Sequence, residues 1–143
     1  MIALRPALPL DIDALWALRT LAVRISCATH YSAEQVAVWS ASPVPAGYAD
    51  LLAAGGGIVA VHDGVIASYA MLDLDQHEVD AVFVDPAQGG LGIGKRLLRR
   101  WKTWRASMGL NGCICRRRSM LCRFTRRRGL SRCAKRRMRT PAA

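Results

Sequence analysis

A glycine-rich run, Gly89-Gly90-Leu91-Gly92-Ile93-Gly94, separates a β-branched segment ending at Val84 from a helix-patterned segment that carries Leu97 and Trp101. Glycine lets a backbone turn tightly and come close to a ligand. At a helix start the free N–H groups point outward and the helix dipole favours an anion. Lys95, in the first turn, adds a positive charge, so a diphosphate is the natural occupant of such a junction. A turn that only joins strand to helix fits the glycine spacing equally well, because glycine motifs taken alone are weak.

What precedes the junction narrows the choice. Gly55-Gly56-Gly57 breaks the chain before Ile58 to Val61, a β-branched strand. Asp63-Gly64 is the strongest short hairpin signal, and Val65 to Leu74 pairs back as the next strand. Asp75-Gln76-His77 makes a second turn, and Glu78 to Val84 a third strand, giving an antiparallel meander. Hairpin-linked strands disfavour a dinucleotide-binding Rossmann unit, which needs a parallel βαβ crossover. A Walker loop is disfavoured because Lys95 is followed by Arg96 rather than Ser or Thr.

Upstream, Ile2 to Ala7 predicts a short first strand. Pro9 and Asp11 mark a helix start, the carboxylate capping free N–H groups. Leu15, Leu18, Ala22 and Ile25 recur at steps of three and four along an amphipathic helix from Ile12 to Ile25. Ser32 and Gln35 stand at capping-box spacing, predicting a second helix over Ser32 to Trp39. Pro43 and Pro45 place a loop from Ser40 to Tyr48. Beyond the glycines, Ile93, Leu97, Trp101, Trp104 and Met108 form an apolar helix stripe, with Lys95, Arg96, Arg99, Arg100, Lys102 and Arg105 between them, until Gly109 stops the helix.

The string Val84 to Leu98, V-D-P-A-Q-G-G-L-G-I-G-K-R-L-L, resembles the acetyl-CoA motif of the GNAT superfamily of N-acetyltransferases: a strand ending in V-x-P, then [QR]-x-x-G-x-[GA]. Glu78 to Val84, E-V-D-A-V-F-V, is similar to that family's fourth strand. L-R-P-A-x-x-x-D at Leu4 to Asp11 looks like its first strand and helix start, and H-Y-S-A-E-Q-V-A-V-W at His30 to Trp39 like a second-helix segment of one branch of small bacterial members. The likeness covers residues 1–110 in order. Gly89 departs from the motif by standing at its Gln/Arg position, which makes the loop costlier to order.

The resemblance implies an α/β fold: a GNAT-like mixed, mainly antiparallel sheet flanked by helices. It also implies an acetyl-CoA-dependent N-acetyltransferase acting on a primary amine that the sequence does not identify. Val82, Phe83 and Val84 would lend main-chain groups to the pantetheine arm. Gly89, Gly90, Leu91, Gly92, Ile93, Gly94 and Lys95 would hold the pyrophosphate. Glu78 lies on the strand that often carries the family's general base; a strand-end carboxylate in solvent is the plainer reading. Acetyl-CoA is then a co-substrate, and no metal is implied.

The resemblance stops near residue 110, where composition changes. Of the net charge of +11, residues 1–111 hold nine lysines and arginines against all ten acids, while residues 112–143 hold twelve cations and no acid. Cys113, Cys115, Cys122 and Cys133 share that tail, which lacks any period of 2 or 3.6. The family expects a fifth strand here, then a helix with an asparagine and the tyrosine that protonates the leaving thiolate, then two closing strands. No tyrosine follows Tyr69. Moving the reading frame of residues 112–134 one base upstream fixes two bases of every new codon and permits L-Y-L-S-A-S-L-N-A-V-P-F-Y, followed by x-A-A-G-F-E-P-V. That supplies the missing strand and N-A-V-P-F-Y helix. A GC-rich gene read out of frame also yields arginine runs such as Arg116–Arg118 and Arg126–Arg128. Residues 111–143 therefore read as an out-of-frame, irregular tail, and the domain as lacking its C-terminal strands, with impaired catalysis and stability.

Two rival readings follow from the same residues: an acyl-CoA-binding remnant without catalysis, and a basic protein that binds nucleic acid non-specifically through residues 112–143. Zinc is disfavoured, because Cys113-x-Cys115 is one residue short of the usual pair and Cys122 and Cys133 make no second one. No apolar stretch approaches the roughly 20 residues of a membrane span. Without a basic segment leading into an apolar core at the N-terminus, the expected location is cytoplasmic and disulfides are unexpected. His30 reads as a capping or surface residue, and His62 and His77 as solvated residues beside turns. Cys27 reads as a small buried hydrophobe, Trp101 and Trp104 as core.

Overall fold

The computed structural model describes residues 1–75 and 78–107. The tail from residue 108, and with it His77 and the four tail cysteines, lies outside the described residues.

Four strands form one antiparallel sheet in the order β1-β2-β3-β4: β1 Ile2–Pro6, β2 Gly57–His62, β3 Val65–Asp73 and β4 Glu78–Val84. The meander read from the turn residues is present. Asp63 and Gly64 both have positive φ, 51° and 82°, as a two-residue hairpin whose turn follows the strand twist requires. β1 joins β2 with Ile2 opposite His62 and Pro6 opposite Ile58. The register slips once between β2 and β3 at Ala60/Val61, and once between β3 and β4 at Met71/Leu72. The second slip leaves Asp80 without an opposed residue, a β-bulge in β4.

Helices cover both faces. α4 (Ile93–Ser107) lies on one, where Ile93, Leu97, Leu98 and Trp101 pack against Ala60, Ala67, Ala70, Leu72 and Val79. The small alanines on the sheet leave the depth that Trp101 fills, and Trp101 is 1% exposed. α1 (Ile12–Ser26) and α3 (Tyr48–Ala53) close the other face, bringing Leu15, Leu18 and Leu52 onto Val59, Tyr69 and Met71. Burying such a side chain stabilises by about 1.5–3 kcal/mol, so the two clusters carry most of the fold. α2 (Ala33–Ser40) begins at the Ser32–Gln35 capping box, both hydrogen bonds of which are made. It sits on the flank of α1, where Trp16 Nε1 donates to Ser42 O at 3.1 Å and the Arg19 guanidinium lies over the Trp16 ring.

Several expectations are corrected. Ile25 is 52% exposed; Val23 and Cys27, each 2% exposed, take the buried positions at that end of α1, since one turn of helix presents only part of its apolar residues to the core. Trp104 is 40% exposed, stacked on Trp101 at 4.9 Å rather than inside the core. The loop after α2 ends at Gly47, where a left-handed residue starts the short helix α3 that the prolines gave no sign of. Asp11 caps no N–H of α1. Its carboxylate turns back to accept from the Leu8 N–H at 2.8 Å and from both Nη atoms of Arg5 at 2.8 and 2.9 Å.

Candidate functional site

The glycine run begins where β4 ends. Asp85 N–H still donates to Ala67 O at 2.9 Å, and the Asp85 side chain accepts from the Ala87 N–H, starting a single 3₁₀ turn over Pro86–Gln88. Gly89 N–H closes that turn on Pro86 O. Gly90 and Gly92 then take φ of +84° and +73°, a conformation that side chains with a Cβ rarely adopt. A Cβ built on either would meet nothing within 4 Å, so the glycines are required by the backbone path and leave open space beside it. Leu91 between them is 56% exposed, whereas Ile93 is buried and pins the helix start to the sheet.

The first helical hydrogen bond of α4 runs from Arg96 N–H to Gly92 O at 3.1 Å. The N–H groups of Ile93, Gly94 and Lys95 therefore precede the first donor and have no carbonyl within the helix. They stand at the positive end of the helix dipole, with Lys95 half-buried and Arg96 exposed in the same turn. The exposed glycines, these N–H groups and the two cations lie together at the helix start, an arrangement that favours an anion.

β4 is the outer strand of the described sheet. The Asp85–Ala67 bond puts that opposed pair in the hydrogen-bonded set, and such pairs alternate along an antiparallel ladder. Phe83, opposite Tyr69, belongs to the same set, and its carbonyl also accepts from the buried Ser68 hydroxyl at 2.8 Å. Val82 and Val84 fall between, so their main-chain groups turn to the outer edge of the described sheet. Of the three residues that the resemblance assigned to the pantetheine arm, Val82 and Val84 thus offer backbone groups at the edge, and Phe83 does not.

Glu78 starts β4 opposite Asp73, four residues before Val82, or about 13 Å along the strand. Closer to the edge residues, on the face of α1 and α3, stand two tyrosines that the sequence did not single out. The Tyr69 hydroxyl is fully buried beside that of Tyr48; burial first, and then the neighbouring Tyr48, push its pKa far up. Burial raises Tyr48 as well. The Cys27 thiol is raised by burial, which keeps it protonated and suits the small-hydrophobe reading. His62 is not simply solvated: its Nδ1 lies 2.7 Å from Gln88 Oε1. A groove between α1 and α2, lined by Arg24, Ala33, Val36 and Ala37, touches none of the glycines. Among the described residues no three His, Cys, Asp or Glu side chains gather as metal ligands, and no helix is long and apolar enough to cross a membrane.

Residues 24–118 match the Acetyltransferase (GNAT) family. No curated protein matches the chain. Among solved structures, a GCN5-related N-acetyltransferase from Rhodopseudomonas palustris is similar with a TM-score of 0.70 and 24% identity, over 89% of this chain and 79% of that one. A second, from Ralstonia eutropha JMP134, has a TM-score of 0.67 and 19% identity, over 99% of each chain. The PaiA N-acetyltransferase of Thermoplasma acidophilum, solved in complex with coenzyme A, has a TM-score of 0.65 and 17% identity, over 77% of this chain and 75% of that one.

Proposed function

Since this chain belongs to the GNAT acetyltransferase family, we propose that it binds acetyl-CoA at the junction of β4 and α4 and transfers the acetyl group to a primary amine. The observation that carries the reading is the pair of left-handed glycines, Gly90 and Gly92, opening onto the free N–H groups of Ile93, Gly94 and Lys95. That surface suits a pyrophosphate, and the edge of β4 at Val82 and Val84, outermost in the described sheet, suits the amide groups of a pantetheine arm laid beside it. The coenzyme A complex of the Thermoplasma relative supports the assignment.

In the reaction the amine attacks the thioester carbonyl, the C–S bond breaks, and the thiolate leaves with a proton. A base must first take a proton from the ammonium, and Glu78 on β4 is the residue proposed for it. The acid for the thiolate is the tyrosine that the family carries beyond the fifth strand, and this chain has no tyrosine after Tyr69. The chain therefore binds the co-substrate and turns it over slowly, which brings it close to an acyl-CoA-binding remnant.

Calorimetric titration of the full chain with coenzyme A tests the binding step. Wild type binds, and Gly90→Ala and Gly92→Ala each weaken binding about tenfold or more, since left-handed alanine costs about 1–2 kcal/mol and the Cβ intrudes on the ligand side. No saturable binding by wild type would overturn the proposal. Turnover of acetyl-CoA with mixed amines at rates like those of an intact relative would overturn the impairment.

A further inference from the structure

The glycine loop has few anchors of its own. Gly89, Gly90 and Gly92 carry no side chains, and Leu91 is exposed. What holds the residue entering the loop comes from elsewhere in the chain. His62, the last residue of β2, reaches Gln88 across 26 positions of sequence, Nδ1 to Oε1, at 2.7 Å. A carboxamide oxygen only accepts, so Nδ1 carries the hydrogen and donates it. His62 Nε2 faces the other way, 3.6 Å from Asp63 Oδ2. Asp63 also receives the N-terminal ammonium at 3.4 Å. Gln88 N–H in turn makes the first bond of the 3₁₀ turn, to Asp85 O at 2.9 Å, one residue before the first glycine.

We propose that His62 is a positioning residue of the cofactor loop: through Gln88 it ties the entry of Gly89–Gly92 to the β2–β3 hairpin, and so presents the N–H groups that hold a diphosphate. The inference rests on the acetyl-CoA reading above. Ordering a glycine segment costs more conformational entropy than ordering any other residues, and each position fixed in advance lowers what binding must supply. His62 touches neither cofactor nor acceptor in this scheme; it acts on affinity for coenzyme A, not on the chemical step.

The test is a double-mutant cycle on the full chain, with coenzyme A as probe and calorimetric Kd as readout. His62→Phe keeps a ring and removes the N–H; Gln88→Ala removes the acceptor. Each is expected to raise Kd roughly threefold to tenfold, the range of one net hydrogen bond, and the double variant to be no worse than either single one. His62→Asn, whose amide nitrogen stands near the place of Nδ1, is expected to restore wild-type Kd. Additive losses, or failure of His62→Asn to restore binding, would overturn the tether. A second readout does not depend on the ligand: amide hydrogen exchange at Gln88 and Gly89, whose N–H groups donate to Asp85 O and Pro86 O in the free chain, should speed up in His62→Phe and recover in His62→Asn. Unchanged exchange also overturns the tether. If wild type does not bind coenzyme A at all, the acetyltransferase reading fails, and the exchange experiment still decides whether His62 orders the loop.

Discussion

At the scale of single residues, the Arg5–Asp11 pair shows how a short sequence interval closes a corner of the fold. Two guanidinium nitrogens and the Leu8 N–H converge on one nearly buried carboxylate, which joins β1 to the entry of α1. Hydrogen bonding from Arg5 holds the Asp11 pKa below the usual carboxylate range, against the opposing effect of burial. A lowered folded pKa stabilises the protein above the unfolded carboxylate's pKa, and that stability is lost as pH falls through the folded value. Asp11→Asn should therefore cost roughly 1–3 kcal/mol at neutral pH, the range for hydrogen bonds to a charged group. Urea midpoints of variant and wild type should converge as the pH is lowered through the carboxylate range; a gap that persists in acid would assign the loss to packing.

α4 shows what an element's pattern determines and what it does not. Its apolar stripe correctly placed Ile93, Leu97 and Trp101 against the sheet, but the same spacing carried Trp104 along, which is 40% exposed and stacks on Trp101 outside the core. Trp101 Nε1 is buried and has no partner among the described residues, and a donor left unpaired in a core costs stability. Trp101→Ala should lose about 3–5 kcal/mol by opening a cavity. Trp101→Phe should lose far less, because it removes the orphaned donor along with part of the ring. Trp104→Ala should cost about 1 kcal/mol or less, mostly ring stacking. Chemical denaturation orders the three; a Trp101→Phe loss equal to that of Trp101→Ala would mean the indole nitrogen is satisfied after all.

Across the whole molecule, charge is segregated along the chain. All ten acids precede residue 86, and eighteen of the twenty-one cations stand at or beyond Lys95. The full chain is therefore expected to bind polyanions without sequence preference, with affinity falling steeply as salt rises. A chain ending at Gly109 should lose most of that binding and keep its affinity for coenzyme A. Loss of coenzyme A binding on truncation would give residues 110–143 a part in the site. The frame itself is decided by the codons for Ser107 to Ala143. The expected result is that the upstream-shifted frame spells N-A-V-P-F-Y without stops; arginines written AGA or AGG over a broken shifted frame would make the tail a true coding segment.

Local signals determined much of this protein. Asp63-Gly64 set the hairpin, Ser32 and Gln35 set the start of α2, and the glycines with the α4 stripe set the junction, because each depends on neighbours within a few residues. The resemblance of residues 84–98 pointed to the family for the same reason. Tertiary structure decided the rest. Which of Ile25 and Val23 is buried, and that Trp104 stacks on Trp101 outside the core, depended on how the helices packed on the sheet. Which of Val82, Phe83 and Val84 turns its backbone to the open edge followed from the pairing of β4 with β3. The contact of His62 with Gln88 joins residues 26 apart and had no signature in either stretch, since it exists only once β2 and the loop are brought side by side.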